Sequence, residues 1–280
     1  MSTTNDIKEL LLPQAINAAI KAGEVIMEVY NSDSSYGIEI KGDKTPIIDA
    51  DRAAHNAIKE ALGSTRIPIF SEEGREMMFE ERRNWELMWL VDPLDGTLEF
   101  INQTNEFTVN IALVEHGEPI AGVIYVPYLK RMYFAWRGFG AYLCRNIEPC
   151  SKTPFEYHDI IACSTKLPLT KKSRRVQKIA LSRSHTNEAT TKEVERISEH
   201  CPIEIIEQGS SYKFCMLAEG VADYYIRTSS TSEWDTAAGE IILAESGGST
   251  KQLESNSTLN YNKENPTNPW FHCRSAVSQI

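Results

Sequence analysis

The sequence lacks the features by which several classes of protein are recognised. It has no run of roughly 18 consecutive apolar residues, so we expect no membrane span. Its start has no basic stretch followed by an apolar core, which argues against a secretory signal. Positive charge is also scarce: 29 Lys and Arg stand against 39 Asp and Glu, for a net charge of −10. We therefore expect a cytoplasmic protein that does not bind a nucleic acid polymer.

Cysteine is too sparse and too widely spaced to suggest a structural role. The six cysteines include no C-x-x-C pair, so we expect neither a zinc site nor a disulfide framework. We interpret them as free thiols: Cys144, Cys150, Cys163, Cys201, Cys215 and Cys273. The sequence also has no internal repeat, and nothing in it indicates an oligomeric state.

The composition is that of an ordinary folded protein. The 280 residues are 41% apolar and 24% charged, which is enough apolar material for a hydrophobic core. At roughly 150 residues per domain, this length suggests two domains or one large one. The least periodic part of the chain is 145–175, and we place the boundary within it, giving domains 1–155 and 156–280.

The spacing of apolar residues predicts an α+β fold. A helix over 6–30 and a second helix that follows Asp49 and stops at Gly63 precede two short buried strands, and an antiparallel run of strands over 107–144 comes next. In the second half, strands and helices alternate, as in a mixed α/β unit. The strands expected there are 178–183, 203–206 and 222–227, and the helices are 188–199, 210–219 and 233–245.

The sharpest chemical feature is the segment W-L-V-D-P-L-D-G-T, residues 89–97. Asp92 and Asp95 lie close together in it, and two neighbouring carboxylates repel each other unless a cation lies between them. Ligands that are all oxygen suit Mg²⁺ or Mn²⁺ better than zinc. A solvated turn containing Asp-Pro and Asp-Gly would explain the same residues. However, the apolar strand before this segment and Thr97 after Gly96 favour a metal site.

Two further acidic segments have similar positions. Glu72 and Glu73 follow the predicted strand R-I-P-I-F, whose end we expect at Ser71, and Asp235 opens the last predicted helix. Each has an ordinary explanation, which is a solvated surface pair in the first case and an Asp at the helix N-cap in the second. Taken one at a time, they do not predict a site.

Taken together, the motifs resemble the inositol-monophosphatase-like superfamily of metal-dependent, lithium-sensitive phosphomonoesterases. Five segments carry this resemblance in the family's order: T-P-I-I-D-A-D, S-E-E, D-P-L-D-G-T, E-F-T-V-N-I-A-L and E-W-D-T-A-A-G. Within the superfamily, S-R-S-H at 182–185 and G-S-S-Y-K-F-C-M-L-A-E-G at 209–220 are similar to the 3′(2′),5′-bisphosphate nucleotidase branch. The implied fold is a layered α/β/α/β/α sandwich, with an antiparallel sheet in the N-terminal half and a mixed α/β C-terminal half.

The resemblance also implies roles for individual residues. The implied metal ligands are Glu72, Asp92, the backbone carbonyl of Leu94, Asp95 and Asp235. Asp51 and Thr97 match a pair that orients the attacking water. The implied substrate contacts are Gly96, Thr97, Ser184, His185, Ser210, Lys213 and Arg227. One position departs from the pattern, because Leu98 stands where similar nucleotidases carry Lys directly after D-G-T, and this leaves the substrate preference undetermined.

The implied function is hydrolysis of the 3′-phosphate of 3′-phosphoadenosine 5′-phosphate to AMP and phosphate. The implied cofactor is Mg²⁺, as about two or three ions that activate water, with Mn²⁺ able to substitute. The implied pathway is removal of a by-product of sulfate activation. Without the resemblance, His185 is interpreted as a residue that ends a strand and forms local hydrogen bonds. Lys213 is interpreted as a solvated lysine on the surface of a helix.

Two alternatives stay open. One is an inositol-phosphate or general sugar-phosphate phosphatase, which would not need the nucleotide contacts of His185 and Lys213. The other is a non-catalytic nucleotide sensor, which should have lost a metal ligand or the pair of Asp51 and Thr97.

Overall fold

The computed structural model describes residues 4–32, 37, 39–40, 46–147, 154–170 and 173–278. Two positions named above, Cys150 and the Thr45 that begins T-P-I-I-D-A-D, lie outside these ranges. The five described cysteines carry free thiols.

The described residues form eight α-helices, one 3-10 helix and fourteen β-strands. The α-helices are α1 (Thr4–Tyr30), α2 (Asp49–Leu62), α3 (Phe79–Arg82), α4 (Thr97–Ile101), α5 (Tyr157–Ala162), α6 (Glu188–Ser198), α7 (Tyr212–Glu219) and α8 (Glu233–Glu245), and the 3-10 helix is Gly63–Thr65. The strands are β1 (Glu39–Ile40), β2 (Pro46–Ile47), β3 (Ile69–Ser71), β4 (Leu87–Asp95), β5 (Thr108–Glu115), β6 (Glu118–Val126), β7 (Arg131–Trp136), β8 (Gly140–Arg145), β9 (Ser164–Lys166), β10 (Gln177–Leu181), β11 (Ile203–Glu207), β12 (Tyr224–Arg227), β13 (Ser249–Gln252) and β14 (Phe271–Arg274).

These elements stack in the order helix, sheet, helix, sheet, helix. Helices α1 and α2 cover one face of a seven-stranded sheet, and α7 and α8 lie between its other face and a five-stranded sheet. Helix α6 covers the far face of the five-stranded sheet. The α+β sandwich that the resemblance implied is therefore confirmed.

The two sheets differ in pairing, as expected. The first has the order β3-β4-β5-β6-β7-β8-β9, and apart from the parallel pair β3 and β4 its neighbours are antiparallel. Its last strand, β9, lies beyond residue 155. The second has the order β11-β10-β12-β14-β13 and is mixed. Strands β13 and β14 were not predicted, because each is only four residues long and carries polar side chains that give little apolar alternation.

Strand β4 shows why the first sheet is so apolar. Trp89 and Val91 face α1 and α2, whereas Met88 and Leu90 face the layer of α7 and α8. Successive side chains of a strand point to opposite faces, and here both faces are covered by helices. The continuous apolar run that precedes the acidic motif follows from burial on both sides.

The same strand extends further than the sequence suggested. We expected it to end before Asp92, but it continues to Asp95. Asp92 pairs with Asn110 and Asp95 with Thr108, with a register shift between the two pairs. Between these two pairs, β4 has one more residue than β5, which is the pattern of a β-bulge. The bulge holds both carboxylates at one end of the sheet.

Helix α1 has a composition that deserves comparison with a membrane span. Its segment Ile7–Tyr30 is long enough to cross a bilayer and has a mean hydropathy of 1.2. However, 61% of its apolar window is buried inside the protein, against α2 and the first sheet. The packing of a core helix accounts for this composition.

Candidate active site

Three acidic side chains from separate parts of the chain converge at one point. Carboxylate oxygens of Glu72, Asp92 and Asp235 all lie within 4.8 Å of one another. Glu72 follows β3, and its N–H donates to the Val91 carbonyl of β4 at 3.1 Å, so the ends of two paired strands deliver two of the acids. Asp235 comes from the first turn of α8.

Backbone donors orient two of these carboxylates. Asp92 Oδ1 accepts the N–H of Leu94 at 3.1 Å, within the β4 bulge. Asp235 Oδ2 accepts the N–H of Ser232 at 2.8 Å. Ser232, not Asp235, is the N-cap of α8, so the N-cap interpretation of Asp235 was wrong by three positions. Asp235 instead takes the N3 position of the capping box, where a carboxylate bonds back to the N-cap N–H.

The electrostatics of this cluster are those of a cation site. Burial, reinforced by the neighbouring Glu72 and Asp95, raises the pKa of Asp92 well above its usual value. Burial, reinforced by Asp95 and Glu72, also raises the pKa of Asp235. Carboxylates held together in this way are stable as anions only with a compensating positive charge. All the donors are hard oxygens, which fits a cation such as Mg²⁺ or Mn²⁺.

The residues next to the cluster come from the β4–α4 turn. Leu94 is buried, and its carbonyl accepts the hydroxyl of Thr97 at 3.4 Å. Gly96 precedes α4 with a φ of 94°, a backbone conformation that favours glycine. A short helix of five residues, α4, begins at Thr97.

Asp51 lies in the first turn of α2. It is only 3% exposed, and its Oδ2 accepts the N–H of Ile48 at 2.7 Å. Its charge contributes to the raised pKa of Asp92, which places it near the cluster.

A cavity of about 460 Å³ opens beside the acidic cluster, and residues from both halves of the chain line it. The predicted site residues on its wall are Glu72, Asp92, Leu94, Asp95, Gly96, Thr97, His185, Ser210, Lys213, Arg227 and Asp235. Leu98, the residue that departs from the family pattern, lies on the wall as well and is 37% exposed. Ser184 does not line the cavity; it is exposed, and its hydroxyl donates to Glu99 Oε1 at 3.0 Å.

Lys213 is a buried residue of this cavity. The interpretation as a solvated helix charge is wrong, because its side chain is only 2% exposed. Its Nζ donates to the carbonyl oxygens of Gln208 at 3.0 Å and Ser210 at 2.7 Å. Burial, followed by the charge of Arg227, lowers the pKa of Lys213 to about 8.

Arg227 and His185 line the cavity near Lys213. Arg227 donates to Ser182 Oγ at 2.5 Å and to the Ser230 carbonyl at 3.0 Å. Its Nε is buried and has no hydrogen-bond partner among the described residues. Burial, with Arg227 and Lys213 nearby, lowers the pKa of His185, so its imidazole is neutral at pH 7.

The sequence did not identify several other residues of the wall, among them Glu99, Ser182, Ser211, Thr231 and Trp234. Ser182 and Ser211 lie inside the quoted motifs S-R-S-H and G-S-S-Y-K. In these two motifs the resemblance implied a role for the other serine, Ser184 in the first and Ser210 in the second. The backbone conformation decides which of two nearby serines lines the cavity, and the residue types alone do not reveal that conformation.

The chain matches the sequence model of the inositol monophosphatase family over residues 8–269. It is similar to the 3′(2′),5′-bisphosphate nucleotidase CysQ of Buchnera aphidicola, with 41% identity over 92% of this chain and 90% of the relative. The enzyme of the same name from Salmonella typhimurium is 39% identical over 93% of this chain and 98% of the relative. The crystal structure of CysQ from Bacteroides thetaiotaomicron, a bacterial member of the inositol monophosphatase family, superposes with a TM-score of 0.88 at 41% identity, covering 96% of this chain and 98% of that one.

The sequence model, the relatives and the solved structure each match nearly the whole chain. The chain therefore belongs to the inositol monophosphatase family.

Proposed function

We propose that this protein is a 3′(2′),5′-bisphosphate nucleotidase that removes the 3′-phosphate of 3′-phosphoadenosine 5′-phosphate and leaves AMP. The observation that carries the proposal is that one cavity contains the acidic cluster, the buried ammonium group of Lys213 and the partly buried guanidinium group of Arg227. A substrate with two phosphates can place one at each side. The similar proteins from Buchnera aphidicola and Salmonella typhimurium bear the nucleotidase name.

The acidic side would hold Mg²⁺, with Mn²⁺ as a substitute and about two or three ions at turnover. Glu72, Asp92, Asp95 and Asp235 would supply carboxylate oxygens, and Leu94 would supply its carbonyl oxygen. When bound, such ions lower the pKa of water and neutralise charge on the attacking and leaving oxygens.

Thr97 and Asp51 would orient the attacking water. The hydroxyl of Thr97 lies on the cavity wall, and its bond to the Leu94 carbonyl is long at 3.4 Å, so the hydroxyl can exchange that partner for water. The N–H of Ile48 holds the carboxylate of Asp51 in place. A carboxylate close to the cluster favours the loss of a proton from a water molecule that is hydrogen-bonded to Thr97.

The 5′-phosphate would lie on the cationic side. Arg227 has a buried Nε without a partner among the described residues, and Lys213 places a buried ammonium group nearby. His185, Ser210 and the backbone at Gly96 would complete the contacts with the nucleotide, and Ser184 would act from the rim. Leu98 adds apolar surface where similar nucleotidases have a charge, so the charge for the second phosphate must come from Lys213 and Arg227.

We also propose the setting of this activity. The segments 1–155 and 156–280 would act as two units that meet at the cavity, since both supply its wall. The enzyme would work in the cytoplasm and remove a by-product of sulfate activation.

The main alternative is a phosphatase for inositol phosphates or other sugar phosphates, and Leu98 is the observation in its favour. The test is phosphate release from 3′-phosphoadenosine 5′-phosphate and from inositol 1-phosphate, measured side by side with Mg²⁺ and again with EDTA. We expect kcat/KM to favour the bisphosphate by at least about a hundredfold, since charged hydrogen bonds to the second phosphate are lost with the other substrate. Equal values would support the general phosphatase, and binding of the nucleotide without phosphate release would support a sensor.

A further inference from the structure

Ser211 has an unusual role for a serine at the start of a helix. It is the N-cap of α7, a position at which a serine hydroxyl ordinarily accepts an N–H from the first helical turn. Here the hydroxyl makes no such bond. Ser211 is only 4% exposed, so its hydroxyl must find its partners inside the protein.

Those partners are two residues of the acidic site. The N–H of Ser211 donates to Asp95 Oδ2 at 2.6 Å, and its hydroxyl donates to the same oxygen. The hydroxyl also lies 2.8 Å from the backbone carbonyl of Asp235. One serine on α7 thus contacts β4 through Asp95 and α8 through Asp235.

Asn110 determines where the hydroxyl proton of Ser211 points. Its Nδ2 donates to Ser211 Oγ at 2.9 Å and to Asp95 Oδ2 at 3.4 Å. Because Asn110 occupies a lone pair of Ser211 Oγ, the single proton of that hydroxyl is directed to Asp95 or to the Asp235 carbonyl. A carboxylate is the stronger acceptor, so Asp95 is favoured.

We propose that Ser211, oriented by Asn110, is a positioning residue that fixes the carboxylate of Asp95 for cation binding. Three donors converge on Asp95 Oδ2, and the side chain can then rotate only by breaking them. Oδ1 takes none of these three bonds and is the oxygen left for the cation. The inference rests on the proposed metal site, although it does not depend on which phosphate ester is hydrolysed.

Asp95 belongs to the first sheet and Ser211 to the start of α7, so the hydrogen bonds between them connect residues that the chain supplies from distant positions. Residues that hold metal ligands in place typically change metal affinity by about ten- to a hundredfold when they are removed.

The first test measures Mn²⁺ binding by calorimetry without substrate, in wild type and in Ser211→Ala. Ser246→Ala is the matched control, because Ser246 is also buried and bonds a backbone carbonyl, but at the opposite end of α8. We expect the Kd of Ser211→Ala to rise by about tenfold or more and that of Ser246→Ala to stay at the wild-type value. Equal Kd values for wild type and Ser211→Ala, or an equal loss in both variants, would overturn the proposal.

The second test measures the coupling between Ser211 and Asp95 in EDTA, where no cation contributes. Thermal unfolding is compared for wild type, Ser211→Ala, Asp95→Ala and the double variant. Removing the hydroxyl should lower Tm by on the order of 3 °C when Asp95 is present and by less when it is absent. The same decrease in both backgrounds would show that Ser211 does not act through Asp95. Neither test uses a nucleotide, so failure of the proposed nucleotidase activity would leave their outcome unaffected.

Discussion

Replacing Lys213 with methionine tests the side of the cavity that we assign to the second phosphate. An ammonium group has three N–H donors, and Lys213 uses two of them for the carbonyls of Gln208 and Ser210. The third is available to a phosphate oxygen. One charge-assisted hydrogen bond is worth roughly 1.5–3 kcal/mol, so Lys213→Met should raise KM for the bisphosphate by about ten- to a hundredfold. The change in kcat should be smaller, because this contact is remote from the reacting phosphoryl group and binds ground and transition states alike.

The pH dependence of this effect follows from the pKa of Lys213, which is lowered to about 8. Below that pH the ammonium is charged, and as the pH rises through it the cavity loses the charge. KM for the bisphosphate should therefore rise above about pH 8 in wild type. In Lys213→Met it should stay level over that range.

The assay is kcat/KM for the bisphosphate and for inositol 1-phosphate, in wild type, Lys213→Met and Lys178→Met. Lys178 is the control because its Nζ pairs with Glu204 at 3.2 Å on the second sheet, and it is not among the residues that line the cavity. Inositol 1-phosphate has no second phosphate, so its hydrolysis should be unchanged in all three proteins. If Lys213→Met slows both substrates equally, Lys213 only supports the backbone of residues 208–210 and our reasoning is refuted.

Three further predictions concern the metal site and the core. Asp92→Asn should lower kcat by at least about a hundredfold at saturating Mg²⁺, and near wild-type turnover would contradict the assignment of Asp92 as a metal ligand. In EDTA the same variant should have a higher Tm than wild type, because the repulsion between carboxylates is relieved. Lithium should inhibit at millimolar or lower concentration, and an unchanged rate against a potassium chloride control would count against the family's metal arrangement. Burial raises the pKa of Glu240 from 4.5 to about 7. Between these pH values the folded protein keeps the proton of Glu240, whereas the unfolded chain has lost it. The free energy of unfolding should therefore fall as the pH rises from 4.5 to 7. Glu240→Gln should remove this slope in denaturant titrations, gaining up to about 3 kcal/mol over wild type by pH 8, and a parallel slope in both proteins would refute it.

Most of the fold follows from local patterns. The helix predicted at 233–245 has these bounds in the structure, and the second helix begins at Asp49 and ends at Leu62, directly before the predicted stop at Gly63. These segments have strong apolar spacing and clear ends, so tertiary contacts did not alter them. Strands β13 and β14 were not predicted, because β14 pairs with β12 and β13 pairs with β14, and these partners distant in sequence decide their conformation.

The sequence predicted which acidic residues belong to the site, but it did not predict how the side chains of the site are arranged or buried. Family motifs identified the acidic residues, and the structure brings Glu72, Asp92 and Asp235 together. The roles of these residues in metal binding and catalysis stay predictions. The burial of Lys213 was not predictable from its neighbours, since a lysine on a helix is ordinarily solvated.

The hydrogen bonds of the acidic residues explain why ordinary and functional interpretations were hard to separate. Asp51 and Asp235 both occupy N3 positions and accept the backbone N–H of the N-cap residue of their helix, and Asp92 accepts a backbone N–H within its own bulge. Each bond holds one carboxylate oxygen, and the bond from Ser232 lowers the pKa of Asp235 against the burial and neighbouring charges that raise it. Local capping and cation binding are therefore not competing explanations for these residues. The backbone donors that make an aspartate a good cap also fix its second oxygen, so the fold can assemble the cluster before a cation binds.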